Sequence, residues 1–122
     1  MYMKKPLIIA FGSQQTNFAR ADSDFDFAIL TEKPLSLAVR TKISERLSRK
    51  FKINEDKIDI TDLSTASPLL LYEVSKKGKL IEGDSFDFIR FKVRAWKIYQ
   101  DTRKFRILKE KMVKNYVKGL HS

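Results

Sequence analysis

From Phe88 to Tyr116 the chain runs without a proline or a glycine, and its apolar side chains keep a helical spacing. Phe88, Phe91, Ala95, Ile98, Thr102 and Phe105 follow one another at intervals of three and four, Lys109 interrupts, and Met112 and Tyr116 resume the pattern. This predicts a single helix of about 30 residues and about 45 Å. A globule built from a chain of this length has a radius of gyration of only about 14 Å, so such a helix overhangs its own domain. Phe105, Leu108, Met112 and Tyr116 then find no core within the chain, and a protein partner or a second copy is where they would be covered. The formal charge of +10 concentrates on the same stretch, with eleven Lys and Arg between Phe88 and Lys118 against Asp101 and Glu110 alone. A cationic helix attracts something acidic. The interleaved Phe91, Trp96, Tyr99, Phe105 and Tyr116 favour a partner-binding surface over a merely solubilising face. Clustered Lys and Arg with aromatics are also the footprint of nucleic-acid binding, which ranks behind a protein partner.

Composition excludes several kinds of chemistry. There is no cysteine, so disulfide frameworks, thiolate zinc sites and thiol nucleophiles are ruled out. The single histidine, His121, stands next to last, which argues against histidine-based metal binding or general-base catalysis. Catalysis would rest on carboxylates, hydroxyls and bound ions. The apolar run Leu7–Phe11 is ended by Gly12 well short of a signal-peptide core or a membrane span, so no membrane role and a cytoplasmic location are expected.

The remaining elements read as follows. Leu7–Phe11 suits a central strand covered on both faces. Phe25–Leu30 makes a second strand, closed by Pro34. Leu35, Val39, Ile43, Leu47 and Phe51 form an i, i+4 stripe that predicts an amphipathic helix. Lys57–Asp62 alternates as a third strand. Ser67-Pro68 is an N-cap with proline at the first helical position, and Lys76-Lys77-Gly78 ends that helix with a glycine beyond its last turn. Lys79–Glu82 adds a short edge strand before the turn at Gly83-Asp84. The expectation is an α/β (α+β) fold, a small mixed sheet with flanking helices, its core spanning residues 1–84 and the long basic helix residues 85–122 of one domain.

Asp is disfavoured inside strands, so Asp24 and Asp26 beside Phe25 and Phe27 need a reason. Period-2 geometry sends the phenylalanines into the core and both carboxylates to the opposite face. Carboxylates held that close repel unless a proton or a cation lies between them, and Mg²⁺ fits oxygen ligands while leaving positions for water and phosphate. Asp59, between Ile58 and Ile60, is placed as a third acid, enough for a two-metal site. Gly12-Ser13, at a strand end, offers backbone amides and a hydroxyl to phosphate oxygens, although Ser13 also fits a plain helix N-cap. Asp22 and Asp62 read as ordinary surface or capping carboxylates.

Gly12-Ser13, Asp24-Phe25-Asp26 and Asp59 together resemble the DNA polymerase β nucleotidyltransferase superfamily. The runs Ala21–Asp26 and Ile58–Leu63, followed by Pro68-Leu69-Leu70 and Gly78–Ile81, are similar to the minimal nucleotidyltransferase (MNT) antitoxins. The likeness covers roughly Leu7 to Phe105. It implies a nucleotidyltransferase that uses ATP and Mg²⁺, with Gly12 and Ser13 on the nucleotide phosphates, Asp24 and Asp26 on the metal, and Asp59 as third ligand or base. It further implies a HEPN-type ribonuclease toxin as partner, neutralised by binding and by transfer of AMP to a toxin tyrosine. Where the family often has aromatic-Ala-Arg-Gly after Gly-Ser, this chain has Gln14-Gln15-Thr16-Asn17. That departure keeps a second reading open, an impaired antitoxin or adaptor that acts by binding alone.

Overall fold

The computed structural model describes residues 5–12 and 25–120. Its elements are β1 (Leu7–Phe11), β2 (Phe25–Leu30), α1 (Leu37–Phe51), β3 (Ile58–Asp62), α2 (Pro68–Lys77), β4 (Lys79–Glu82) and α3 (Ser85–Leu120). The strands form one mixed sheet in the order β3-β2-β1-β4, with β1 antiparallel to both neighbours and β2 parallel to β3. A parallel pair needs a crossover connection, and α1 supplies it. The third strand thus lies beside β2 and at an edge of the sheet.

Strand β1 is apolar without alternation because both of its faces are covered. Leu7 and Ile9 share a core with Val74 of α2 and with Phe91 and Ala95 of α3. Ile8 joins Phe27, Ile29, Ile43 and Leu47 on the α1 side. The expected α1 stripe is buried only in its middle, at Ile43 and Leu47, while Val39 and Phe51 are exposed. Each i+4 step advances 40° beyond a full turn, so a strict i, i+4 row winds off a flat sheet within about three steps.

Helix α2 starts and stops where its capping residues predict. The Ser67 hydroxyl accepts the Leu70 N–H at 3.2 Å, and the Gly78 N–H closes on Val74 O at 2.7 Å. Gly78 has φ −74°, so it is not the left-handed glycine that usually follows a helix. It is needed for space, because a Cβ there would collide with the Ile9 side chain and with Val74 O.

Asp62 proves to be a capping carboxylate and not a surface one, at the N-terminus of the 3-10 turn Leu63–Thr65. It is buried, and it accepts the Leu35 N–H (2.8 Å), the Ser64 N–H (2.9 Å) and the Ser64 hydroxyl (2.6 Å). Burial pulls its pKa upward. The Ser64 hydroxyl, the two amides and the charge of Arg40 outweigh that pull and hold the carboxyl below its ordinary 3.8. One side chain thereby fastens the end of β3 to the segment that leads into α1.

Helix α3 is longer than predicted, at 36 residues or about 54 Å. Asp84 caps it, its Oδ1 accepting the N–H groups of Phe86 and Asp87. Phe91 and Ala95 are buried, and every residue from Arg103 to Leu120 is exposed. Where the helix leaves the domain, Tyr99 stacks on Tyr72 of α2 with ring centroids 4.0 Å apart, and the Arg106 guanidinium covers the Tyr99 ring. No helix among the described residues is long and apolar enough to cross a membrane.

Candidate active site

The N-terminal end of β2 carries the site. Asp26 pairs in register with Phe11 across the antiparallel β1 and with Asp59 across the parallel β3. Two residues further on, Ala28 belongs to the core under α2 and α3, so Asp26 projects from that same face of the sheet. Asp59, in parallel register, projects there too. The alternate residues Phe25, Phe27, Ile58 and Ile60 pack on the α1 side, as their pattern predicts. Neighbouring strands lie about 4.8 Å apart, which leaves the two carboxylates side by side. Asp26 is half-buried and Asp59 exposed, so the pair opens to solvent at one edge.

Gly12 closes the other side. It follows β1 with φ +93°, a conformation that side chains with a Cβ rarely adopt. Its backbone comes so close that a Cβ would sit 2.5 Å from Asp26 Oδ2. Glycine is required twice at this position, by the turn and by the carboxylate it is pressed against.

Ser13 and Asp24, the other two residues of the sequence reading, lie outside the described residues, as do Asp22 and Gln14–Asn17. Among the described residues no group of three or more metal-binding side chains forms. Asp26 and Asp59 stand as a pair of oxygen donors with a glycine backbone against one of them. That donor set suits a hard divalent cation such as Mg²⁺ and the phosphates it would carry.

A cleft of about 640 Å³ opens on the α1 side of the same strand end, with Phe25, Phe27 and Phe51 in its wall, Lys52 and Lys79 among its polar residues, and Asp26 also on its border. Nothing in the sequence marked it. Lys52 takes part because it ends α1 in a left-handed turn, φ 54°, a role lysine does not announce.

Acidic residues in register across two strands, with a glycine turn against one of them, are an arrangement that can receive a divalent cation and phosphate oxygens. The family model described as polymerase beta, nucleotidyltransferase matches residues 2–87. Two curated relatives carry the name protein adenylyltransferase MntA. That of Aphanizomenon flos-aquae is 32% identical over 126 residues, covering 95% of this chain and 81% of the relative. That of Shewanella oneidensis is 30% identical over 97 residues, covering 80% and 68%. Among solved structures, a chain of a toxin-antitoxin crystal structure with AMP-PNP superimposes with a TM-score of 0.68 at 30% identity, over 88% of this chain and 84% of that one. A chain from the complex of tri-AMPylated Shewanella oneidensis HEPN toxin with MNT antitoxin gives 0.63 at 28% identity, over 88% and 81%. This chain belongs to the polymerase beta nucleotidyltransferase family, within its minimal nucleotidyltransferase branch.

Proposed function

We propose that the chain is a Mg²⁺-dependent protein adenylyltransferase, the antitoxin of a HEPN/MNT pair, which transfers AMP from ATP to a tyrosine of a HEPN-type ribonuclease toxin in the cytoplasm. The observation that carries this reading is the register pairing of Asp26 with Asp59 beside Gly12. Asp26 and Asp59, with Asp24, would hold the cation. Bound there, Mg²⁺ would neutralise the triphosphate and the charge that builds on the leaving pyrophosphate. The Gly12 and Ser13 amides would meet phosphate oxygens. The acceptor tyrosine oxygen forms a bond to the α-phosphorus, the bond to the pyrophosphate oxygen breaks, and the tyrosine proton passes to a base. Asp59, exposed beside Asp26, would be that base or share the cation. Residues 1–84 supply this machinery and residues 85–122 the arm that reaches the acceptor.

The fully exposed far half of α3 favours a second reading, in which neutralisation needs docking alone. One experiment separates the two. The chain is incubated with α-labelled ATP, Mg²⁺ and the HEPN-type protein encoded beside it, and the partner's intact mass is followed. The expected result is addition of AMP to a tyrosine, reduced at least about 10²-fold by Asp26→Asn, the scale of losing one preorganised electrostatic group. Undiminished transfer by Asp26→Asn refutes the catalytic reading. Protection without any AMP addition favours docking alone.

A further inference from the structure

We infer that the far half of α3 is a helix shaped to lie in an apolar, acid-rimmed groove of the protein partner, an inference that rests on the reading that this chain acts on a protein. At 100° per residue, Phe105, Leu108, Met112, Tyr116 and Leu120 share one face about 120° wide, spaced i, i+3, i+7, i+11 and i+15. All five are exposed, Phe105 and Tyr116 by 75% and 70%. Helices are held in proteins mainly by packing of such a face, and this one packs on nothing among the described residues.

Charge selects the occupant. Arg103–Leu120 holds seven Lys and Arg against Glu110 alone. On the helical wheel, Lys104 and Lys111 flank the apolar face on one side and Arg106 on the other, Lys109 falls within it between Tyr116 and Leu120, and Glu110 is turned away. A second copy of the helix would set like charges against each other along both flanks, where paired helices need opposite ones. Nucleic acid would take the cations and leave the five apolar side chains in water. A groove with an apolar floor and carboxylates along its rims satisfies both features, in the helix-in-groove manner.

The probe is the HEPN-type protein encoded beside this chain, titrated calorimetrically with the full chain in the absence of ATP. The double variant Leu108→Glu/Met112→Glu alters only exposed positions, and unchanged circular dichroism verifies its fold. It is expected to bind at least about 100-fold more weakly. Lys104→Glu/Lys111→Glu is expected to bind about 10-fold more weakly and to lose most of the salt dependence of the wild-type chain. Lys114→Glu, on the opposite side of the wheel, should bind within threefold of wild type. Wild-type affinity in the Leu108→Glu/Met112→Glu variant, or no binding by the wild-type chain, overturns the inference. So does self-association of the chain that Leu108→Glu/Met112→Glu abolishes, or tighter binding of a 20-base-pair RNA duplex than of the protein. AMP transfer measured on the same mixtures keeps the two claims apart. Transfer that ignores the Leu108→Glu/Met112→Glu change refutes the docking surface alone, and stripe-dependent binding without transfer refutes the catalytic reading alone.

Discussion

Gly12→Ala adds one methyl group at a backbone position with φ +93° and 2.5 Å from Asp26 Oδ2, and the two consequences differ in kind. Holding alanine in the left-handed region costs about 1–2 kcal/mol. For a domain of this size that lowers Tm by about 4–10 °C. The collision itself is with the end of a flexible side chain, so it adds little to that cost. It is relieved when the carboxylate moves out to ordinary contact, a displacement of about 1 Å, and misplacement on that scale costs about 10²-fold in rate. Gly83→Ala is the control: φ is +123°, and the added methyl meets the Leu7 side chain and the Leu7 and Pro6 backbone, away from the carboxylates. Both variants should melt early, and only Gly12→Ala should lose AMP transfer well below its melting range. Differential scanning calorimetry and initial rates at 25 °C measure the two effects. Transfer by Gly12→Ala within threefold of wild type, or an equal loss in Gly83→Ala, refutes the argument that this glycine sets the position of Asp26.

Other consequences concern the scaffold. Asp62→Ala leaves the Leu35 and Ser64 donors without their acceptor and should cost about 3 kcal/mol in urea unfolding. The Asp62 carboxyl is held below 3.8, so its contribution is complete above that unfolded value and is lost as pH falls through the lower folded value; the gap between wild type and Asp62→Ala should therefore narrow only below about pH 4. Leu47→Ala empties a fully buried site between α1 and the sheet and should cost about 2–5 kcal/mol by the same assay. Glu82→Gln removes the half-exposed pairs with Arg46 and Lys50 and should change stability by less than about 1 kcal/mol.

The parts of the fold that depend on local rules were legible in the sequence. Ser67-Pro68 and Gly78 bound α2 at their own residues, and the alternation around Asp26 and Asp59 put both acids on one face. Features set by distant contacts were not. That Gly78 serves space and not a left-handed turn depends on Ile9, which lies far away in sequence. That Val39 stays in water follows from the drift of an i, i+4 row across a sheet whose extent the sequence does not state. Asp62 resembles any acid at a strand end until Leu35 is seen above it. That Asp59 joins Asp26 was expected from the acids themselves, but the register that pairs them came with the strand order, because a parallel register cannot be read from either strand alone.

If the chain is the proposed transferase, Asp26 and Asp59 share a divalent cation beside Gly12. Mn²⁺ in place of Mg²⁺, titrated by electron paramagnetic resonance in the presence of a non-hydrolysable ATP analogue, tests it directly. Mn²⁺ should bind the wild-type chain, with affinity at least about 10-fold weaker in Asp26→Asn and in Asp59→Asn. Wild-type Mn²⁺ affinity in both variants contradicts it.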